Sequence, residues 1–280
     1  MADVETVVSS MRKEIFLAAY CGEVGHLASA FSMVEIMYTL YLDSVMKYDA
    51  TNPDWEERDY FVLSKGHGSL ALYAALSEAG FFSKSELRKF CRPGGILGGE
   101  PHTLETPGVE ASTGSLGHGL SISVGMALAL KNDKKPNQVY VLVGDGECQE
   151  GSIWEAIMSA SIFRLDNLTM IIDRNRIQKM DFINNIMGED YLPDRLNVFG
   201  WQVKCANGHD TKSLKSAFTE KWDAEKPKCL VADTIKGKGL SLMENNPAWH
   251  WRMPNKKELK TFMNELSITQ EELDECRKHI

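Results

Sequence analysis

The segment Val139-Tyr140-Val141-Leu142-Val143-Gly144-Asp145-Gly146 constrains the fold of this chain more than any other. An unbroken apolar run of that length reads as a strand buried on both faces, the mark of a parallel sheet. Gly144 and Gly146 let the backbone turn sharply at its carboxyl end. A helical stretch from about Ser152 to Phe163 and a second apolar run, Leu168 to Ile172, complete a strand–helix–strand crossover. Asp145 and Asn175 then fall at adjacent strand tips, the edge at which open α/β sheets bind ligands. A carboxylate and an amide oxygen are donors that a hard divalent cation takes, and a diphosphate needs such a cation. A backbone carbonyl, phosphate oxygens and water would fill the remaining positions. Alone, Gly-Asp-Gly is a common turn; the second strand ending in asparagine gives it chemical meaning.

The rest of the sequence alternates in the same way, without repeats or low-complexity linkers. Amphipathic patterns cover roughly Thr6 to Cys21, Ser32 to Leu42 and Ser69 to Glu78. Tyr60 to Leu63, Trp201 to Ala206 and Cys229 to Ile235 read as further strands. A small-residue run beginning at Gly114 is expected to open a helix through about Lys131, and Lys256 to His279 reads as two surface helices. The expected fold class is therefore α/β: one doubly wound, mostly parallel sheet flanked by helices, spanning residues 1–280 as a single domain. At 280 residues and 43% hydrophobic, the chain can bury a large core.

Charge and cysteine usage exclude several function classes. A net charge of -8 without a basic run argues against a nucleic-acid partner. It also leaves an anionic ligand dependent on local metal and helix termini. No apolar stretch approaches a membrane span and MADVETVVSSMRKEIF lacks a signal-peptide core, so a cytoplasmic protein is expected. The six cysteines (Cys21, Cys91, Cys148, Cys205, Cys229, Cys276) include no C-x-x-C pair, so neither a disulfide framework nor a zinc site is expected.

The block GDGECQEGSIWEA, with IIDRN downstream, resembles the diphosphate-binding half of transketolases, and the similarity runs over nearly the whole chain. SKGHGSLALYAAL and ENNPAWH match histidine-bearing segments of that family. The resemblance implies a thiamine diphosphate-binding fold, with Mg²⁺ (or Ca²⁺ or Mn²⁺) held by Asp145, Asn175 and the backbone of Ile177. It implies cofactor contacts from His67, His250, Gly114, Leu116, Gly146, Glu150 and Asn175, with His26, His67, His102 and His250 as catalytic candidates. Glu150 reads either as the acid that family members use to bridge cofactor sites or as a carboxylate favoured at a helix N-terminus. His118 stands where the family usually has glutamine and is expected to cap or pack; His209 and His279 have no assigned task.

Three departures bear on these roles. The family's third loop histidine precedes a proline, whereas here Glu100 precedes Pro101 and His102 follows it, so either His102 has taken that role or it is absent. Lys179 stands where an aliphatic residue packs on the thiazolium ring. Ala28-Ser29 replaces a glycine pair, which narrows the pocket.

The implied reaction moves a two-carbon ketol unit from a ketose to an aldose. Full-length transketolases are more than twice as long, and the region beyond this chain carries their aminopyrimidine-protonating glutamate and sugar-phosphate contacts. The resemblance thus points to the N-terminal subunit of a split enzyme, needing a second subunit with the pyrimidine-binding and C-terminal domains, as α2β2. Alternatives within the cofactor class are a 1-deoxyxylulose-5-phosphate synthase-like or 2-oxo acid dehydrogenase α-type subunit; outside it, a non-catalytic scaffold. The run KGKGLSLMENNPAWH favours transketolase. The sugar pair, ordinary, sulfonated or branched, is not legible.

Overall fold

The computed structural model describes residues 3–189 and 191–277. Its helices are α1 (Val4–Gly22), α2 (Leu27–Phe31), α3 (Val34–Tyr41), α4 (Ser69–Ala79), α5 (Gly119–Asn132), α6 (Gly151–Ile162), α7 (Ile183–Met187), α8 (Leu192–Val198), α9 (Thr211–Thr219), α10 (Lys256–Glu265) and α11 (Gln270–Arg277). The strands are β1 (Tyr60–Leu63), β2 (Val139–Gly144), β3 (Leu168–Arg174), β4 (Gln202–Asn207) and β5 (Lys228–Asp233), paired in the order β1-β2-β3-β5-β4. All these pairs are parallel.

Alternation along the strands divides the apolar residues between two cores. Val139, Val141, Val143, Met170, Ile172, Cys229 and Val231 face one, closed by α5, α6 and α8 through Leu120, Val124, Ile153, Ile157 and Leu196. Tyr140, Leu142, Ile171, Leu230 and Ala232 face the other, closed by α1, α3, α4 and α9. Helices thus cover both faces, as the apolar runs require. Gly144 lies opposite Asp173, and Asp173 opposite Ala232, so the β2, β3 and β5 tips end level at one edge.

Three expectations need correction. The helix expected from Gly114 begins at Gly119, because Gly114 (φ 148°) and Gly117 (φ 86°) hold left-handed geometry that no helix accepts. The tail forms two helices, but they are docked: Phe262 is fully buried and packs on Phe16, ring centroids 5.3 Å apart, and on Trp249 at 5.2 Å. Finally, Cys21 at the end of α1 is disulfide-bonded to Cys276 in α11, a pairing separated by 255 residues and therefore invisible as a spacing. Outside that disulfide, Cys148 and Cys229 are buried thiols, whereas Cys91 and Cys205 are exposed. His279 lies outside the described residues. No helix among the described residues is long and apolar enough to cross a membrane.

Candidate active site

The turn that follows β3 collects oxygen donors. Asp145, 4% exposed at the β2 tip, accepts the Gly146 N–H at 2.8 Å through Oδ1 and the Arg176 N–H through Oδ2. Arg176 has φ 65°, which folds Asn175 and Ile177 into a tight turn beside that carboxylate. Asn175 Oδ1 accepts the Ile177 N–H at 3.1 Å, while its Nδ2 donates to Asp173 at 3.2 Å. The amide oxygen is thereby turned away from Asp173. Beneath this turn Asp173 is fully buried and also accepts from Ser32, Lys65 and Thr234. Burial pushes the Asp173 carboxyl up, but the Lys65 ammonium and these donors bring it below its ordinary value. Among the described residues Asp145 makes no such ion pair: burial, then the Asp173 charge, pushes it up to about 7.

Above the strand tips lies a cleft of about 350 Å³, inside the range of small-molecule sites. Three histidines meet there, with ring centroids 5.2 Å apart for His26–His67, 5.3 Å for His26–His250 and 5.8 Å for His67–His250. They come from the start of α2, the 3-10 turn after β1 and the Pro247–Trp249 turn. Burial, then Lys236 and Lys65, lowers His26 to about 4; burial, then Lys236, lowers His250 to about 3. His67 is also held well below its ordinary value, by burial and then Lys65. All three rings are consequently neutral at neutral pH, able to donate from one nitrogen and accept at the other.

Lys65 and Lys236 are the cations behind these shifts, 1% and 2% exposed. Lys236 Nζ donates to the Ile177 carbonyl at 2.9 Å and lies 3.2 Å from His250 Nδ1. Burial, then the Lys65 charge, lowers Lys236 to about 8. Sequence reasoning singles out neither lysine, although Lys65 stands in SKGHG and Lys236 in KGKG, both segments that carry the family resemblance. Their burial is the missing signal.

His26, His67, Gly114, Leu116, Asp145, Gly146, Glu150, Asn175, Ile177 and His250 all line the one cleft. Glu100 lines it too, its carboxylate against Gly114, where a Cβ would meet Glu100 Oε2 at 1.8 Å. His102 does not: it is exposed, and its carbonyl accepts the Glu105 and Thr106 N–H groups. Lys179 reaches the cleft wall. Glu150 is the N-cap residue of α6 without a side-chain cap bond, so its carboxylate remains available to the cleft. His118 sits at the α5 N-cap with Nδ1 3.1 Å from the Leu116 carbonyl. His209 is structural, bonded to Glu35 at 3.0 Å and to the Ile235 N–H at 2.7 Å.

These residues fit the divalent cation that a diphosphate brings with it. Among the described residues Asp145 is a buried carboxylate outside any ion pair, and it lies against the turn after β3 that carries an amide oxygen and a carbonyl, the latter already holding an ammonium. The donors are hard oxygens, and among the described residues no cluster of three or more His, Cys, Asp or Glu side chains offers a softer metal site.

Comparison with known proteins bears on the same arrangement. The family model for the transketolase thiamine diphosphate-binding domain matches residues 6–277. An apulose-4-phosphate transketolase subunit of Phocaeicola vulgatus is 40% identical over 264 residues, 94% of this chain and 93% of that protein. The 6-deoxy-6-sulfo-D-fructose transketolase subunit SqwG of Clostridium sp. (strain MSTE9) is 43% identical over 228 residues, 81% of this chain and 82% of that one. The solved transketolase from Leishmania mexicana superposes with a TM-score of 0.87 at 28% identity; all of this chain is covered, but only 44% of that one. This chain belongs to the transketolase family, as a member of its thiamine diphosphate-binding domain.

Proposed function

We propose that the chain is the thiamine diphosphate-binding subunit of a two-subunit transketolase, which transfers a two-carbon ketol unit from a ketose to an aldose. The observation carrying this reading is the juxtaposition of three neutral histidines with Asp145 and the Asn175–Ile177 turn in one cleft. In this reading Asp145, Asn175 and the Ile177 carbonyl hold Mg²⁺. Gly146, His67 and His250 face the diphosphate, the Gly146 N–H turning to it from Asp145 Oδ1, and the Gly114–Leu116 backbone faces the rings. Bound thiamine diphosphate supplies the electron sink for cleaving the ketose between its second and third carbons.

The protein's share is to position groups and move protons. His26, projecting from the start of α2, meets substrate hydroxyls; because its ring is neutral it accepts a hydroxyl proton at one nitrogen while donating at the other. His250 differs: its Nδ1 accepts from the Lys236 ammonium, so its neutral ring offers the Nε2–H to the cleft as a donor. Trp251, stacked on His26 at 5.9 Å, forms an apolar lip that limits water. Glu100 takes the third loop position as an acceptor for ketose hydroxyls, and Lys179 covers the mouth with positive charge.

The chain spans 44% of the length of the transketolase from Leishmania mexicana, and relatives of its own length are named as subunits. A partner therefore closes the cleft, supplies the aminopyrimidine acid and grips the anionic tail of the sugar. We propose an α2β2 assembly working in the cytoplasm. Calorimetry tests the reading: thiamine diphosphate should bind the assembled complex with Mg²⁺ and fail to bind after chelation. Absence of binding with metal present would contradict it.

A further inference from the structure

Glu147 is a carboxylate for which the reaction above has no use, yet it is 3% exposed. It follows Gly144-Asp145-Gly146 in a single 3-10 turn, Glu147–Gln149, and its side chain folds back onto the strand tip. Oε1 accepts the Gly117 N–H at 2.8 Å and the Ser64 hydroxyl at 2.5 Å, and Oε2 accepts the Gly144 N–H at 3.0 Å. A buried carboxylate is tolerated only when its oxygens are bonded, and these three donors meet that need.

The donors belong to three separate segments. Ser64 lies at the β1 tip just ahead of Lys65 and His67. Gly117 ends the left-handed loop that carries Gly114 and Leu116 into α5. Gly144 immediately precedes Asp145. The first two segments already touch through their backbones: a Cβ on Gly66 would lie 2.8 Å from the Gly114 nitrogen, and one on Gly119 2.5 Å from the Ser64 Cβ. The Ser64 N–H already donates to the Leu142 carbonyl of β2 at 2.9 Å; the Glu147 carboxylate adds a second tie at the very tip, where it alone bonds the Ser64 hydroxyl, the Gly117 N–H and the Gly144 N–H together, one residue before Asp145.

We infer that Glu147 is a positioning residue that sets the register of three loops around the cofactor cleft, acting on the cofactor through His67, Leu116 and Asp145. The inference rests on the function proposed above. It is tested on the assembled complex by calorimetry with thiamine diphosphate and Mg²⁺, alongside melting temperatures in the absence of cofactor. Glu147→Gln keeps the shape but turns an NH₂ group toward one of the donors. Its dissociation constant should rise about 10- to 100-fold, the range seen when groups that orient ligands are removed, with the cofactor-free complex still folding cooperatively at a melting temperature lowered only by the one unmet donor. Ser64→Ala removes one donor and leaves the carboxylate, and should produce a smaller loss in the same direction. A folded Glu147→Gln complex with wild-type affinity overturns the inference, and so does a Ser64→Ala complex with wild-type affinity. Failure of the wild-type complex to bind would instead count against the proposed function.

Discussion

At the scale of single residues, the site is a problem of charge balance. Lys65 neutralises Asp173, whereas Asp145 remains a buried carboxylate outside any ion pair among the described residues. Asp145→Ala is therefore expected to abolish measurable binding of thiamine diphosphate with Mg²⁺ to the assembled complex, because a hard cation tolerates few lost ligands; unchanged affinity by calorimetry would remove the metal assignment. The histidines give a pH test. His26 titrates at about 4 in the fold against an ordinary 6.5, so between those values the unfolded chain binds more protons and stability falls as pH drops. Asp145, raised to about 7, acts in the opposite sense over that window, so the useful readout is a difference. Wild-type melting temperature should fall relative to His26→Asn as pH goes from about 6.5 towards 4. A constant gap between the two would show that His26 is not held neutral. The strand-tip pair Asp145 and Asn175 is legible in the sequence because it depends only on where apolar runs end. The places of Glu100 and Lys65 are not, since they follow from side-chain placement across segments remote in the chain.

At the scale of elements, apolar periodicity identifies the strands well, and β1 begins and ends where Tyr60 to Leu63 suggests. It fails where glycine dihedral angles outweigh composition: the small residues from Gly114 look helical, but left-handed glycines make them a loop, and that loop is what exposes backbone to the cleft. It fails again at the tail, where charged composition hides a single anchoring aromatic. Phe262 is fully buried between Phe16 and Trp249, the latter one residue from His250. Phe262→Ala should cost about 3–5 kcal/mol of stability, read as a fall in melting temperature and denaturation midpoint. An effect below about 0.5 kcal/mol, typical of surface positions, would mean that α10 contributes little to the fold.

At the scale of the whole molecule, the cleft stands at the carboxyl edge of a parallel sheet, with Trp251 62% exposed beside His26; the proposed function makes it one half of a cofactor site. The proposed transfer needs water excluded from that mouth and an acid supplied from outside this chain. The proposal of a partner rests on the family resemblance and on the 44% of the Leishmania mexicana transketolase that this chain covers. The identity of the sugars is not legible, since in this account the anionic tail is gripped by the partner. The most direct measurement is ketol transfer from a ketose phosphate to an aldose phosphate, with thiamine diphosphate and Mg²⁺, by the purified chain alone and by the chain assembled with its partner. The account predicts turnover only in the assembled complex; sustained turnover by the chain alone would contradict it.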